Sequence, residues 1–406
     1  MRKKNLFVRA GILFFIILLS LTGIGCGTQT GNGPADKGQT NQDPVKIGLL
    51  VPYTGVFTSN GVDITRGAEL YLDEIGWKAG GREIKLIKED SEMNGQVGLQ
   101  KTRRLVESEK IDILTGVVSS TVAYAIRDYV VGNKLPFIIS NAGARDLTRG
   151  DGSEYIFRVS FANGQYEYPF AKYLYNELNI RRVVVMAPDY AAGLEKAEGF
   201  MISFKEAGGE VIQEIYPKLG TTDYGPYLAQ VKNADAVFVH FSAADSIKFV
   251  KQYDEYGLKR IPLYSAGDLV DESSLPGQGD SALGIISALH YSAALTTPEN
   301  QKFVKNYTAK YGDSPNMFAE QGYVSAQVIV KALEATGGNT ADKAKLLDAI
   351  RKVQFDAPRG PFKFDQKTQN VIFDTHIRKV EKVNGKLVNT VIKSIPNVSD
   401  YWTGKK

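Results

Sequence analysis

The chain has 406 residues, 43% hydrophobic, with 49 Lys and Arg against 45 Asp and Glu, a formal net charge of +4 and a single cysteine. That apolar content excludes a disordered chain, and the mixing of both charge signs without a basic block leaves no footprint for nucleic acid. One cysteine excludes an intramolecular disulfide and any multi-cysteine metal site.

The chain opens Met1-Arg2-Lys3-Lys4, adds Arg9, then runs apolar from Ala10 to Leu19 with Leu21 beyond, and reaches Cys26 through Gly23-Ile24-Gly25. A basic start, an apolar run and small residues form a secretory signal; the run falls short of the roughly 20 residues of a membrane span, although an uncleaved anchor is the alternative. A lone Cys at such a junction resembles a bacterial lipobox, with Gly23 in the position usually held by Leu. The resemblance implies that Cys26 is lipidated and becomes the mature N-terminus, which tethers the protein to the lipid bilayer outside the cytoplasm, at the cell surface or in the periplasm. The other reading is an incidental cysteine within the signal. Residues 27–44, GTQTGNGPADKGQTNQDP, carry no large apolar side chain and read as a flexible tether.

The remaining body of about 360 residues exceeds one ordinary core, so two lobes are expected. Strand patterns at 45–51, 84–88, 111–118 and 136–140 alternate with helical patterns at 63–75, 97–107 and 122–131. The cadence restarts with helices at 166–178, 194–207, 224–231 and 246–256 between strands at 182–186, 211–216, 236–241 and 262–264. After 283–288 come helical segments at 301–311, 321–335 and 341–353, and a β-rich tail at 360–364, 371–380 and 388–392 closes the chain. The alternation predicts an α/β fold of two doubly wound parallel-sheet lobes. Ligands of such sheets sit beyond the carboxyl ends of the strands, so two facing edges make a cleft.

No phosphate-binding loop, nucleophile elbow, zinc motif or body-region dinucleotide loop occurs, and His240, His290 and His376 lie far apart in sequence. His240 follows the strand AVFV and reads as packed or surface rather than as a metal ligand. No enzyme activity, cofactor or metal is expected. Two strand-end turns stand out. Ser119-Ser120-Thr121 places hydroxyls where a strand meets a helix, which suits either a helix cap or, with the helix N-terminus, a carboxylate. Ser140-Asn141-Ala142-Gly143-Ala144 is a small-residue turn that is either ordinary or open to close approach by a ligand.

The ordered set GLLVPYTGVF, Arg66-Gly67-Ala68-Glu69-Leu70, GVVSSTVAYAIRDY, SNAGA, Tyr155-Ile156-Phe157-Arg158, APDYAAG and FKEAGGEV resembles the leucine/isoleucine/valine-type substrate-binding proteins of ABC transporters, the type I periplasmic binding (Venus-flytrap) fold, over residues 45–380. The resemblance implies two lobes joined by a three-crossover hinge: lobe 1 over 45–160 and 288–357, lobe 2 over 161–287, and a hinge crossover and tail on lobe 2 over 358–406. It implies a monomer that closes on a small amino acid of branched-chain type or a related carboxylate and passes it to ABC permease subunits. Carried onto this chain, the ligand carboxylate meets Ser119 or Ser120 and the backbone of Ala142, Gly143 and Ala144. Tyr190 closes from lobe 2, Asp268 falls where an acid pairs with an ammonium, and Asn60 comes from the first loop. Tyr190 has packing on its own lobe as its other reading, Asp268 a helix cap, and Arg158 is either a hinge residue or a carboxylate clamp. Ala144 replaces the hydroxyl usual in amino-acid binders, and Ser242-Ala243 stand where a second-lobe aromatic is common. Phe57, Tyr124, Phe161, Tyr166 and Phe318 are candidates for an apolar or aromatic subsite, or for core. A binder of aromatic or other organic acids or amides, and a sensor signalling through a partner chain, remain the alternatives.

Overall fold

In the first strand of the computed structural model, β1 (Val45–Val51), every residue but Lys46 is buried, and the side chains alternate between two faces. Ile47, Leu49 and Val51 face one apolar cluster, while Leu50 faces another. The structure describes residues 43–149 and 152–400; the signal sequence, Cys26 and the tether up to residue 42 lie outside the described residues. With period-two side chains and apolar residues on both faces, β1 requires helices on both sides of its sheet.

Those helices follow in order: α1 (Thr58–Glu74), β2 (Lys78–Ala79), β3 (Arg82–Asp90), α2 (Gly95–Glu107), β4 (Ile113–Gly116), α3 (Ser120–Gly132), β5 (Phe137–Ile139) and β6 (Ile156–Arg158). The first sheet has the order β2-β3-β1-β4-β5-β6 and is parallel except at β2. The second half brings α4 (Glu167–Asn176), β7 (Arg182–Met186), α5 (Ala191–Glu206), β8 (Glu210–Ile215), α6 (Gly225–Leu228), β9 (Ala236–Val239), α7 (Ala243–Glu255), β10 (Leu263–Ala266), α8 (Leu275–Gln278) and β11 (Ile286–Leu289). There Val183 and Val185 face one cluster, Val184 and Met186 the other. The chain then gives α9 (Pro298–Tyr311), α10 (Met317–Thr336) and α11 (Lys343–Arg351), and ends in β12 (Gln354–Ala357), β13 (Gly360–Phe364), β14 (Val371–Val383) and β15 (Lys386–Val398). The second sheet runs β12-β13-β14-β11-β10-β9-β7-β8, with β15 paired to β14; its β7 to β11 core is parallel and the added strands are antiparallel.

The expected α/β fold of two parallel-dominated lobes is what forms, with differences at particular elements. Helix α1 starts five residues before the expected 63, because Ser59, Asn60 and Gly61 read as loop. Gly61 is in fact pressed onto Pro52, where a Cβ would lie 1.9 Å from the carbonyl oxygen. The expected helix at 224–231 shrinks to the single turn of α6, and β6 forms at 156–158 where no strand was expected.

Three segments cross between the halves: 159–166 after β6, 290–297 after β11 and 352–370 after α11. Buried Arg359, on the third, donates from Nη1 to Val159 O on the first (2.7 Å) and from Nε to Glu320 Oε1 of α10 (2.7 Å). Among the described residues no helix is long and apolar enough to cross a membrane.

Candidate functional site

In each sheet the chain reverses its direction of travel beside the first strand of that half: between β1 and β4 in the first sheet, and between β7 and β9 in the second. Open α/β sheets bind ligands at such switch points. Here the two face each other across a small cavity. Phe57, Asn60, Val118, Asn141, Gly143 and Phe318 line it from the first half. Phe161 and Asn163 of the first crossover, and Tyr190, Ala192, Lys196, His240, Ser242 and Asp268 of the second half, complete it.

Five helices begin at this wall. Phe57 and Asn60 belong to the start of α1, Val118 precedes α3, Tyr190 and Ala192 open α5, Ser242 opens α7 and Phe318 lies in the first turn of α10. Positive dipole ends of these helices therefore lie along the cavity wall, which favours an anion. Val117, just before α3, holds φ +63° although β-branched, a strained turn held between its own N–H to Leu50 O (2.6 Å) and its carbonyl accepting from Ala142 N (2.9 Å).

The charged groups are all but buried. Lys196 Nζ lies 2.8 Å from Asp268 Oδ2 and 3.5 Å from Glu167 Oε1, and also donates to Tyr166 Oη. Tyr166 in turn donates to Asp268 Oδ2 (2.7 Å). Burial pushes the Asp268 carboxyl up, but Lys196 and His240 together, through charge and hydrogen bonding, outweigh it and hold the group well below the usual carboxylate range. Burial raises Glu167 to about 7, against the opposing Lys196 charge. His240 Nδ1 faces Asp268 Oδ2 at 3.5 Å, and its Nε2 has no hydrogen-bond partner within the chain. Burial and the Lys196 charge push its pKa down, so the ring is neutral at pH 7.

The halves also touch each other directly. Asn60 Nδ2 donates to Ser242 Oγ (3.4 Å), and the rings of Phe57 and Tyr190 stand 6.3 Å apart. Beside the cavity, Tyr124 Oη donates to Glu195 Oε1 (2.6 Å), the Arg145 N–H donates to Glu195 Oε2 (3.2 Å), and Arg145 pairs with Glu198. This is a closed arrangement.

Of the residues singled out in the sequence, the structure brings Asn60, Gly143, Tyr190, Asp268, Phe57, Phe161 and Phe318 to the cavity wall. It does not bring the others there. Ser119 caps α3, its Oγ accepting from Val122 N (3.4 Å). Ser120 Oγ accepts from Asn163 Nδ2 (3.2 Å). Ala142 and Ala144 belong to the core behind the turn, and the Ala144 carbonyl is taken by Arg158 Nη2 at 2.5 Å, so Arg158 is a buried crossover residue rather than a clamp in the cavity. Tyr124 is a cross-lobe bond and Tyr166 a support for Asp268. Asn141, Asn163, Lys196, His240 and Ser242 were not anticipated as ligand-facing. Lys196 carried a usable signal: it follows Ala192 by four residues and precedes Phe200 by four, on the buried stripe of α5.

Fold and cavity together define a two-lobed protein with a candidate site for a small solute between its lobes. The periplasmic binding protein family profile matches residues 44–386, and the chain belongs to that family. It is similar to "Leu/Ile/Val-binding protein homolog 6" of Brucella melitensis, 30% identical over 367 residues, covering 88% of this chain and 93% of that protein. Among solved structures it resembles an ABC transporter substrate-binding protein from Sphaerobacter thermophilus (41% identity, TM-score 0.84, 88% of this chain and 99% of that one). It also resembles an ABC transporter solute-binding protein of R. palustris in complex with benzoate (35% identity, TM-score 0.84, 89% and 99%). The chain is a substrate-binding protein of the ABC-transporter type with the type I fold. Its family and neighbours are solute binders rather than enzymes, and the family implies an extracytoplasmic location.

Proposed function

We propose that this protein is the receptor of an ABC importer for an aromatic monocarboxylate of the benzoate type. On this reading it is held at a bacterial membrane by lipidated Cys26 and delivers its ligand to permease subunits. The observation that carries the ligand class is the ion pair of Lys196 and Asp268 in the cavity wall. An amino acid brings an ammonium that needs a free carboxylate, and here the carboxylate is already neutralised. Displacing Lys196, which is 2% exposed, would strand a buried cation. An acid without an amino group needs no such exchange. Its carboxylate meets the helix N-termini around Val118 and Gly143, and its ring meets Phe57, Phe161, Tyr190 and Phe318. The benzoate held by the R. palustris relative supports this reading. The Leu/Ile/Val name of the Brucella relative points to amino acids, which the Lys196–Asp268 pair disfavours.

Isothermal titration with leucine, isoleucine, valine and phenylalanine against benzoate and cinnamate tests it. Binding of the aromatic acids alone is expected; tight binding of an amino acid, lost on Asp268→Ala, would overturn the ligand class. Mass spectrometry of membrane-extracted protein should show a mature N-terminus at Cys26 carrying acyl chains.

A further inference from the structure

Resting on the aromatic-acid reading above, we propose that His240 is a specificity-determining residue that accepts a hydrogen bond from a hydroxyl on the ring of the bound acid. The cavity then selects hydroxylated aromatic carboxylates over unsubstituted ones.

A buried polar ring nitrogen ordinarily has a partner. His240 is 2% exposed and lines the cavity; its Nδ1 faces Asp268 at 3.5 Å, but its Nε2 has no partner within the chain. Its place is fixed from behind, by its own N–H donating to Met186 O (3.0 Å) at the carboxyl end of the second sheet. The Asp268 carboxylate, 3.5 Å from Nδ1, favours the proton on that nitrogen, and the Lys196 ammonium beside the same carboxylate opposes a second proton on the ring. Nε2 is then left with a lone pair. An acceptor in a dry wall calls for an O–H or N–H from the ligand, and the neutralised Asp268 makes a hydroxyl the better match than a charged ammonium. His240 belongs to the second half, whereas Val118 and Gly143, beside which the ligand carboxylate is placed, belong to the first. A flat ring spanning the cavity therefore presents a substituent remote from its carboxylate to His240. Ser242 is already engaged by Asn60, which leaves His240 as the unoccupied acceptor on that side.

The test is titration of the full chain with benzoate, 3- and 4-hydroxybenzoate, and the 3- and 4-methyl analogues, which match the hydroxyl in size without its donor. One hydroxy isomer is expected to bind about tenfold or more tightly than benzoate and than its methyl counterpart. His240→Phe should remove that preference, bringing the hydroxy-to-methyl affinity ratio to about one whatever its effect on benzoate. His240→Gln, which keeps an acceptor near the same place, should retain most of it. Equal affinity for hydroxy and methyl analogues in the unaltered protein, or an equal loss for all ligands in His240→Phe, overturns the inference while leaving the aromatic-acid reading intact. Should His240→Phe not fold, the hydroxy-to-methyl comparison and His240→Gln still decide. Binding of branched-chain amino acids with no aromatic acid bound would overturn both.

Discussion

At the scale of single residues, Lys196 decides the most and was the hardest to see. Asp268, Tyr190 and Asn60 were legible only through the resemblance to the family, which named those positions, and Phe57 only as one of several aromatics that could equally be core. Lys196 sits in mid-helix, where a lysine ordinarily reads as solvated surface. Its partner lies 72 residues away, on another strand end, so only the fold brings the pair together. Removing one partner of a buried ion pair leaves an uncompensated charge, so Lys196→Met is expected to cost about 3–5 kcal/mol of stability. Lys196→Met combined with Asp268→Asn should recover much of that loss, because both charges are then gone. Urea unfolding of the two variants checks this; equal destabilisation by single and double variants would show that the pair is not coupled.

Elements are held to each other by contacts that composition conceals. Helices α1 and α10 approach through glycines: a Cβ on Gly67 would lie 1.8 Å from Ala319 O, and one on Gly322 2.0 Å from Ile64 O. Both helices were legible from their periodicity, but their closeness was not, since a glycine in a helical pattern reads only as a weak helix former. Gly322→Ala should push the helices apart and destabilise by about 1–3 kcal/mol or more, read as a lowered urea midpoint. The last two strands were expected over 371–380 and 388–392. In the structure they continue into a tight hairpin at Asn384 and Gly385, both with positive φ (49° and 79°), and that Asn-Gly pair was the available signal. Within this hairpin His376 Nδ1 meets Ser394 Oγ at 2.8 Å, and burial lowers its pKa to about 4. A base whose folded pKa lies below its unfolded value of about 6.5 stabilises the fold above that pH and loses the contribution as pH falls toward 4, a change of about 3 kcal/mol. His376→Gln should flatten the acid limb of a stability profile across that window and leave pH 8 behaviour nearly parallel to the unaltered protein.

For the whole molecule, the two-lobed architecture followed from alternation alone, while the closing contacts did not, since they join residues from opposite halves. Glu195 gathers three of them: the Tyr124 hydroxyl, the Arg145 N–H and Asn163 Nδ2 (2.9 Å). Glu195→Ala should shift the balance toward the open form and weaken every ligand by the same factor, about five- to tenfold, with little effect on unfolding. Titration with two unlike ligands reads this; a loss confined to one of them would place Glu195 in recognition instead. The cavity has a kinetic consequence of its own. Apart from the partly exposed Tyr190, every lining residue is buried, so a bound molecule is largely shut in while the lobes are together. Release must then wait for an opening excursion, and the lifetime of the complex is timed by the protein. Two ligands of similar bulk that bias closure equally should leave at nearly the same rate, and their difference in affinity should appear in how often an encounter ends in capture.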